Sequence, residues 1–121
     1  MEKKFVANKA LLVDEDGKIL LLRYSGSGDH KNSEGKLDVP GGRMDAGEHP
    51  LEGLEREVLE ETGIHINPRL ASPIYVDLWG VMGDIQNQPI VGIYYRVPIE
   101  NTESINLSEE HKEVVWFDPT L

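Results

Sequence analysis

The sequence predicts an α+β fold in which a mixed β-sheet packs against one amphipathic helix. Segments rich in apolar and β-branched residues lie on both sides of residues 50–62, where the apolar positions instead follow a helical period. The chain has 121 residues, enough for one hydrophobic core and too few for a second. We therefore expect a single domain covering residues 1–121.

The first two strands are predicted at residues 5–13 and 18–24, where apolar residues dominate. Between them, residues 14–17 read Asp-Glu-Asp-Gly, and the Asp-Gly pair is typical of a tight turn between antiparallel strands. Residues 25–36 are polar and glycine-rich without periodicity, which indicates a long exposed loop.

The helix is predicted at residues 50–62 from its two ends and its apolar stripe. Pro50 suits the first helical turn, because its missing N–H would have no partner there, and Gly63 suits the left-handed position just beyond the helix. Leu54 and Val58 fall on one face, since successive residues turn by about 100°. We expect that face to pack on the sheet.

The remaining strands follow the helix. Residues 66–78 and 90–98 have strand composition and are separated by a turn-rich segment at residues 83–89. Residues 100–111 read as a polar loop, and residues 113–117 as a short last strand.

Three glutamates crowd one side of the predicted helix. Glu57 and Glu61 are four residues apart, and Glu60 lies about a third of a turn further round. Such carboxylates repel one another, and a divalent cation would remove the repulsion; oxygen ligands of this kind suit Mg²⁺, with Mn²⁺ as an alternative. Arg56 can hold a neighbouring carboxylate, Glu48 or Glu57, through a two-pronged hydrogen bond.

A glycine pair precedes the helix. Val39 and Pro40 form a rigid turn that leads into Gly41 and Gly42, two residues without side chains. Their backbone groups can therefore approach a cation or a substrate phosphate closely, which makes both glycines candidates for substrate binding.

These residues belong to one longer pattern: Gly42, five residues, Glu48, seven residues, and then the run REVLEETGI at residues 56–64. The spacing resembles the complete signature of the Nudix hydrolases, a family that cleaves diphosphate linkages in nucleoside diphosphates joined to another group. The resemblance implies an α/β/α sandwich. It also implies attack of water on phosphorus, assisted by one to three Mg²⁺ ions.

The resemblance also implies roles for individual residues. The candidate metal ligands are Glu57, Glu61, Glu60 (directly or through water) and the carbonyl of Gly42. The candidate catalytic residues are Glu57, Glu60, Arg56 and Glu48. The identity of the base stays open, because family members differ: Glu57, Glu48 and a glutamate outside the signature are all candidates.

Two further sites lie outside the signature. Residues 108–113 resemble a Glu-His-x-Glu stretch of many relatives, so Glu110 and Glu113 are candidates for an extra ligand or base. The alternative is an ordinary charged loop before an edge strand. Arg23 closes the second strand, where relatives often carry a phosphate-contacting basic residue; a strand-end arginine that only packs its stem is the alternative.

Substrate choice lies outside the signature. The downstream residues usual in NADH-type, dinucleoside-polyphosphate and ADP-ribose members are absent, so by elimination we expect a nucleoside triphosphate or a modified nucleotide. An ADP-ribose or nucleotide-sugar pyrophosphatase is an alternative, as is a nucleotide-binding module without turnover. Four aromatic residues are candidates for stacking on a base, with ordinary packing as the alternative: Tyr24, Tyr75, Trp79 and Tyr94.

Composition narrows the class of partner and the compartment. A net charge of −10 argues against a nucleic-acid partner, which needs a basic face. The absence of cysteine excludes disulfides, thiol catalysis and thiolate zinc sites. No apolar run has the length of a signal peptide or a membrane span. We expect a cytoplasmic protein that acts on a small molecule and does not bind membranes.

The end of the chain departs from the resemblance. Relatives usually place a further helix after the strand that corresponds to residues 114–118, whereas this chain ends at Leu121. We expect that helix to be absent. Either a second subunit covers the sheet face in a homodimer, or the chain is truncated.

Overall fold

The computed structural model describes residues 5–79, 90–100 and 104–120. Its strands, in chain order, are β1 (Phe5–Val13), β2 (Ile19–Tyr24), β3 (Leu37–Asp38), β4 (Gly41–Arg43), β5 (Ser72–Trp79), β6 (Ile90–Pro98) and β7 (His111–Phe117). The helix α1 covers Pro50–Thr62, and two 3-10 turns cover Gly28–Ser33 and Pro68–Leu70.

The strands form a mixed sheet in the order β3-β2-β1-β6-β5. β1 and β6 are parallel from Phe5 opposite Ile90 to Val13 opposite Pro98, and the other pairs are antiparallel. β1 and β2 are register partners only at Val13 and Ile19, beside the hairpin turn. Beyond that point β1 continues against β4 and β6, and β2 against β3 and β7. The predicted mixed sheet with one α-helix is confirmed for the described residues.

The ends of α1 follow the sequence signals. Pro50 occupies the first turn, and Nδ1 of His49 accepts a hydrogen bond from Leu51 N–H at 3.1 Å. Gly63 adopts a left-handed conformation with φ of 76°, and its N–H donates to the carbonyl of Leu59 at 2.9 Å. The helix therefore starts and stops where Pro50 and Gly63 predict.

The core lies between α1 and one face of the sheet. Leu54 and Val58 of α1 are fully buried there. They belong to a cluster with sheet residues that include Ala10, Leu12, Leu20, Leu22 and Val97. The predicted apolar face of the helix is thus the face that packs.

Three of the predicted segments need correction. The strand expected at residues 66–78 begins only at Ser72. Pro68 has no N–H for a ladder, and the side chain of Asn67 accepts from Arg69 N–H at 3.0 Å, which starts a 3-10 turn instead. The loop expected at residues 25–36 contains the 3-10 turn Gly28–Ser33. The last strand begins at His111, two residues before its predicted start.

Some expectations fall partly or wholly outside the described residues. The turn predicted at residues 83–89 lies outside them, as does part of the loop predicted at residues 100–111. Crossing a bilayer takes about 20 apolar residues, and none of the described helices has the length and apolarity for it.

Candidate active site

Two glycines let β4 lie close to both β1 and α1. Gly41 has φ of 139°, and a Cβ there would lie 2.1 Å from the carbonyl oxygen of Asn8 in β1. A Cβ on Gly42 would lie 2.8 Å from the carboxylate of Glu57 in α1. A side chain at Gly41 would clash with backbone, whereas one at Gly42 would displace the Glu57 carboxylate. The close approach brings the backbone of β4 against the acidic side of the helix.

Glu61 is the buried carboxylate of the site. It is 8% exposed, and its Oε1 accepts a hydrogen bond from Gly41 N–H at 2.7 Å. Its Oε2 lies 3.8 Å from Nδ1 of His111. Burial raises the pKa of Glu61 to about 7, against the opposing effects of the Gly41 hydrogen bond and the charge of Lys9. The carboxylate is thus held in place where its ionised form is poorly solvated.

Arg56 connects the other carboxylates. Its Nε and Nη2 donate to the two oxygens of Glu48 at 2.8 and 3.1 Å, in the two-pronged arrangement. Its Nη1 donates to Glu57 Oε1 at 3.0 Å and lies 3.3 Å from the carboxylate of Glu60. Arg56 therefore makes contact with both carboxylates that the sequence offered as its partners.

Glu48 and Glu57 differ in electrostatic environment. Hydrogen bonds from Arg56 and from Asp45 N–H lower the pKa of the Glu48 carboxyl. Burial raises the pKa of Glu57, although Arg56 acts in the opposite direction. Of the two, Glu57 has the greater tendency to hold a proton.

Glu60 is separated from its two neighbours. Its side chain is 58% exposed and contacts Arg56 on the outer side of α1. Glu57 and Glu61 instead face β4, as their contacts with Gly42 and Gly41 demonstrate. The three glutamates of the predicted cluster therefore do not share one environment.

Residues just before and at the start of β7 complete the acidic cluster. Glu61, Glu110 and His111 each offer one ligand atom, and these atoms lie within 4.8 Å of one another. His111 is 5% exposed and was not among the predicted ligands. In the sequence, its place in the Glu-His-x-Glu stretch at residues 108–113 was the signal that indicated a role. Glu113 instead forms an ion pair with Arg23.

Arg23 contacts β7 and the loop between β2 and β3. Besides Glu113, it binds the carbonyl of Gly35, to which Nη1 donates at 2.7 Å. The structure therefore places Arg23 and Glu113 together at the junction of β2 and β7, with Glu110 rather than Glu113 beside Glu61.

A cavity of about 260 Å³ lies on the other side of β1 and is lined by Lys9, Asp38, Asp77 and Tyr94. The ring of Tyr75 lies 5.7 Å from that of Tyr94, so two of the four aromatic candidates lie at or beside this cavity. The side chain of Trp79 is outside the described part of the structure.

A second cavity, about 550 Å³, lies just after α1 and is lined by residues that include Ile64, Ile66, Leu70 and Ile99. It contains none of the acidic residues of the site. The larger cavity is therefore separate from the cluster of carboxylates.

The donor set fits a hard divalent cation. The charge of Glu110 raises the pKa of both Glu57 and Glu61, and the charge of Glu57 raises the pKa of Glu61, so the three carboxylates are close in space. Carboxylate oxygens are the ligands that Mg²⁺ and Mn²⁺ prefer, and a cation would stabilise Glu61 in its ionised form.

Comparisons with known proteins identify the family and the fold. The family described as NUDIX domain matches residues 3–121. A "MutT-like protein" from Streptomyces ambofaciens is 29% identical over 115 residues, which cover 94% of this chain and 64% of that protein. An "8-oxo-dGTP diphosphatase" from Haemophilus influenzae is 40% identical over 65 residues, 53% of this chain and 46% of that protein. The chain thus spans less than two thirds of the length of either relative.

Among solved structures, the crystal structure of a MutT protein from Methanosarcina mazei Go1 has a TM-score of 0.76 and 29% sequence identity. The alignment covers 96% of this chain and 78% of that one. The described fold is therefore shared over nearly the whole chain.

Proposed function

The chain belongs to the Nudix family of pyrophosphohydrolases, which use a divalent metal ion, and from this premise we propose that it hydrolyses a diphosphate linkage in a nucleoside triphosphate or a modified nucleotide. The observation that carries the proposal is Glu61, a buried carboxylate bound to Gly41 N–H and adjacent to Glu110. Keeping such a poorly solvated carboxylate ionised costs free energy, and a bound cation would offset that cost. The name of the Haemophilus relative supports a modified nucleotide as substrate.

We propose Mg²⁺ as the ion, with Mn²⁺ as an alternative. Glu57, Glu61 and Glu110 would hold it, with the carbonyl of Gly42 as a backbone ligand and Glu60 acting through water. When bound, the ion would neutralise phosphate oxygens and lower the pKa of the attacking water.

Arg56, Glu48 and Glu57 have the remaining roles in the proposed reaction, which are orientation and proton transfer. Arg56 fixes the rotamers of Glu48 and Glu57 through its hydrogen bonds. Glu57 is the better candidate for the base, because its pKa is raised by burial whereas that of Glu48 is lowered by Arg56. In this scheme the oxygen of Glu57 that does not hold the ion takes a proton from water, while the water oxygen bonds to phosphorus, the bridging P–O bond breaks and inorganic diphosphate leaves with the bridging oxygen.

Arg23, Gly41 and Gly42 are the proposed contacts to substrate phosphates. Arg23 is held by Glu113 and the carbonyl of Gly35, so engaging a phosphate would require it to give up or share its partner. Gly41 and Gly42 contribute close backbone approach. The net charge of −10 argues against nucleic acid as the substrate. A cytoplasmic location stays an expectation from the sequence.

The test is a panel of nucleoside triphosphates, their oxidised forms, ADP-ribose and nucleotide sugars, each with Mg²⁺. We expect a nucleoside monophosphate and inorganic diphosphate as the products from the triphosphates. Preferential cleavage of ADP-ribose or of a nucleotide sugar would replace our substrate class. Binding without turnover across the panel would make the chain a nucleotide-binding module.

A further inference from the structure

The cavity beside β1 is a built polar pocket on the sheet face opposite α1. Lys9 and Tyr94 are register partners in β1 and β6. Their sequence neighbours Ala10 and Tyr95 belong to the core beneath α1, and side chains alternate along a strand. Lys9 and Tyr94 therefore point away from the helix, into the cavity that Asp38 and Asp77 also line.

The charged groups of this pocket are fixed in position. Lys9 is 6% exposed, and its Nζ donates to Asp38 Oδ2 at 3.0 Å. The same oxygen accepts from the hydroxyl of Tyr24 at 2.8 Å, and Asp38 Oδ1 accepts from Val39 N–H at 2.7 Å. Three donors thus hold one carboxylate, which leaves it no freedom to rotate.

Each partner keeps capacity for a ligand. An ammonium has three N–H donors, and a carboxylate accepts about four hydrogen bonds. Lys9 can therefore bind Asp38 and still donate into the cavity, while Asp38 can accept one more bond. Burial and the neighbouring Asp38 raise the pKa of Tyr24, so its hydroxyl stays a donor and Asp38 stays an acceptor.

The pocket is close to the carboxylates of the proposed metal site. Lys9 is the register partner of Gly41, whose N–H holds Glu61. The ring of Tyr24 lies 4.8 Å from the ring of His111, which is beside Glu61. A nucleotide with its phosphates at Glu61 could therefore reach the pocket with its base.

We propose that Lys9 and Asp38 read the nucleobase, and that the pocket selects a guanine-type base. Guanine offers a carbonyl acceptor, O6, beside a ring N–H donor, N1. Lys9 would donate to O6, and Asp38 would accept from N1–H. Asp77 offers a second acceptor for the 2-amino group, and the ring of Tyr94 offers a face for stacking. This proposal rests on the function proposed above and adds its base specificity.

Adenine and cytosine fit the pair poorly, whereas uracil presents the same carbonyl and ring N–H as guanine and lacks only the amino group that would meet Asp77. Adenine presents an amino donor and a ring acceptor in the corresponding positions, and cytosine does the same. Their donors would meet the ammonium of Lys9 and their ring lone pairs would face the carboxylate of Asp38. With adenine or cytosine, Lys9 and Asp38 would make no hydrogen bonds to the base. Because unpaired buried polar groups are costly, discrimination between GTP and ATP should be strong.

The test compares kcat/KM for GTP, ITP, UTP, ATP and CTP with Mg²⁺ in the wild type and in Asp38→Asn. The substitution replaces one acceptor by an amide donor at nearly constant shape. We expect the wild type to prefer GTP over ATP, and the GTP-to-ATP ratio to fall roughly tenfold to a hundredfold in Asp38→Asn. Asp16→Asn, in the first hairpin turn, is the matched control and should leave the ratio unchanged.

Asp77→Asn isolates the second acceptor. It should lower kcat/KM for GTP, which has a 2-amino group, and leave ITP, which lacks one, within about twofold. Equal use of UTP and GTP by the wild type, or a ratio that stays constant in both variants, would overturn the proposal. If Asp38→Asn does not fold, Lys9→Gln and Asp77→Asn provide the same comparison.

A binding measurement separates this proposal from the proposed function. Calorimetry with GMP and AMP needs no turnover, and we expect tighter binding of GMP by the wild type and loss of that preference in Asp38→Asn. Preferential GMP binding without any hydrolysis would refute the proposed function alone. Hydrolysis of nucleotides without a base preference would refute the base pocket alone.

Discussion

Glutamates that look equivalent in the sequence have different environments in the folded protein. Glu61 is buried against β4, Glu57 is half-buried beside Gly42, and Glu60 is largely exposed. The difference arises because Gly41 and Gly42 bring the β4 backbone up to one side of α1 only. The helical period predicted which residues neighbour each other, but it could not predict which of them β4 covers.

At this scale, Glu57→Gln and Glu61→Gln should each reduce kcat by roughly a hundredfold or more, the cost of losing a group that stabilises charge in the transition state. In the absence of metal, the midpoint of thermal unfolding should stay level or rise, since a buried or crowded charge is removed. Steady-state kinetics and calorimetry measure the two effects. Unfolding of both variants would assign these residues to structure instead of chemistry.

The raised pKa of Glu61 gives a second prediction. The folded-state pKa of about 7 exceeds the ordinary value of 4.5, so the folded protein binds the proton more tightly than the unfolded chain. This contribution to stability is present below pH 4.5 and is lost as the pH rises through 7. In the metal-free protein the loss should be at most roughly 3 kcal/mol, since one pKa unit is worth about 1.4 kcal/mol.

Denaturant unfolding between pH 4.5 and pH 8 measures this loss. Glu61→Gln should remove most of the decline, with Glu52→Gln on the outer side of α1 as the control. The same proton competes with Mg²⁺, so we expect affinity for Mg²⁺ to fall up to about tenfold per pH unit below pH 7. A wild type and a Glu61→Gln variant with the same pH dependence would show that Glu61 does not titrate in this range.

Among the elements, those with strong local signals were predicted well. β1 and α1 have the predicted bounds, because a continuous apolar run defines the first, and Pro50 and Gly63 define the second. β3 and β4 were missed, since strands of two and three residues have too few positions for any periodicity. Their pairing is fixed by tertiary contacts with β2 and β1.

Gly41 of β4 provides a prediction about how the strands pack. Gly41→Ala should destabilise the fold strongly and abolish activity, because the new Cβ would clash with the backbone of Asn8. Gly17→Ala is the matched control: Gly17 also has a positive φ, 81°, but a Cβ there meets nothing within 4 Å. The control should cost only about 1–2 kcal/mol, the usual cost of left-handed backbone. Equal losses in the two variants would contradict the close approach of β4 to β1.

For the molecule as a whole, the site depends on contacts between distant parts of the chain. The sequence identified the signature residues and offered Glu110 and Glu113 as equivalent extra candidates. The structure separates them, because the register shift between Arg23 and Tyr24 pairs Arg23 with Glu113 and Tyr24 with His111. Glu110 and His111 then lie beside Glu61, while Glu113 meets Arg23. The pairing of Lys9 with Asp38 was beyond sequence analysis, since neither residue belongs to a recognisable motif.

Self-association is the prediction for the whole molecule. β5 is at the end of the strand order, and its apolar residues Ile74, Val76 and Leu78 are 53–62% exposed. A second copy would cover this strand in a two-fold arrangement, as apolar edges in single domains are seldom left open. We expect sedimentation at micromolar concentration to give a dimer, and Val76→Lys to give a monomer with unchanged fold. A wild-type mass near 13.6 kDa would rule the dimer out.

The central claim is that Glu57 and Glu61 of α1, together with Glu110 just before β7, form a divalent metal site for hydrolysis of a nucleotide. Its most direct test is formation of nucleoside monophosphate from the best nucleotide substrate during titration with Mg²⁺ in chelator-treated protein, in parallel for the wild type and Glu61→Gln. We predict no turnover without the ion, saturable activation of the wild type, and activation of the variant only at much higher concentration with roughly a hundredfold lower kcat. Equal rates with Mg²⁺ and with chelator, or identical titration curves for the two proteins, would contradict the account.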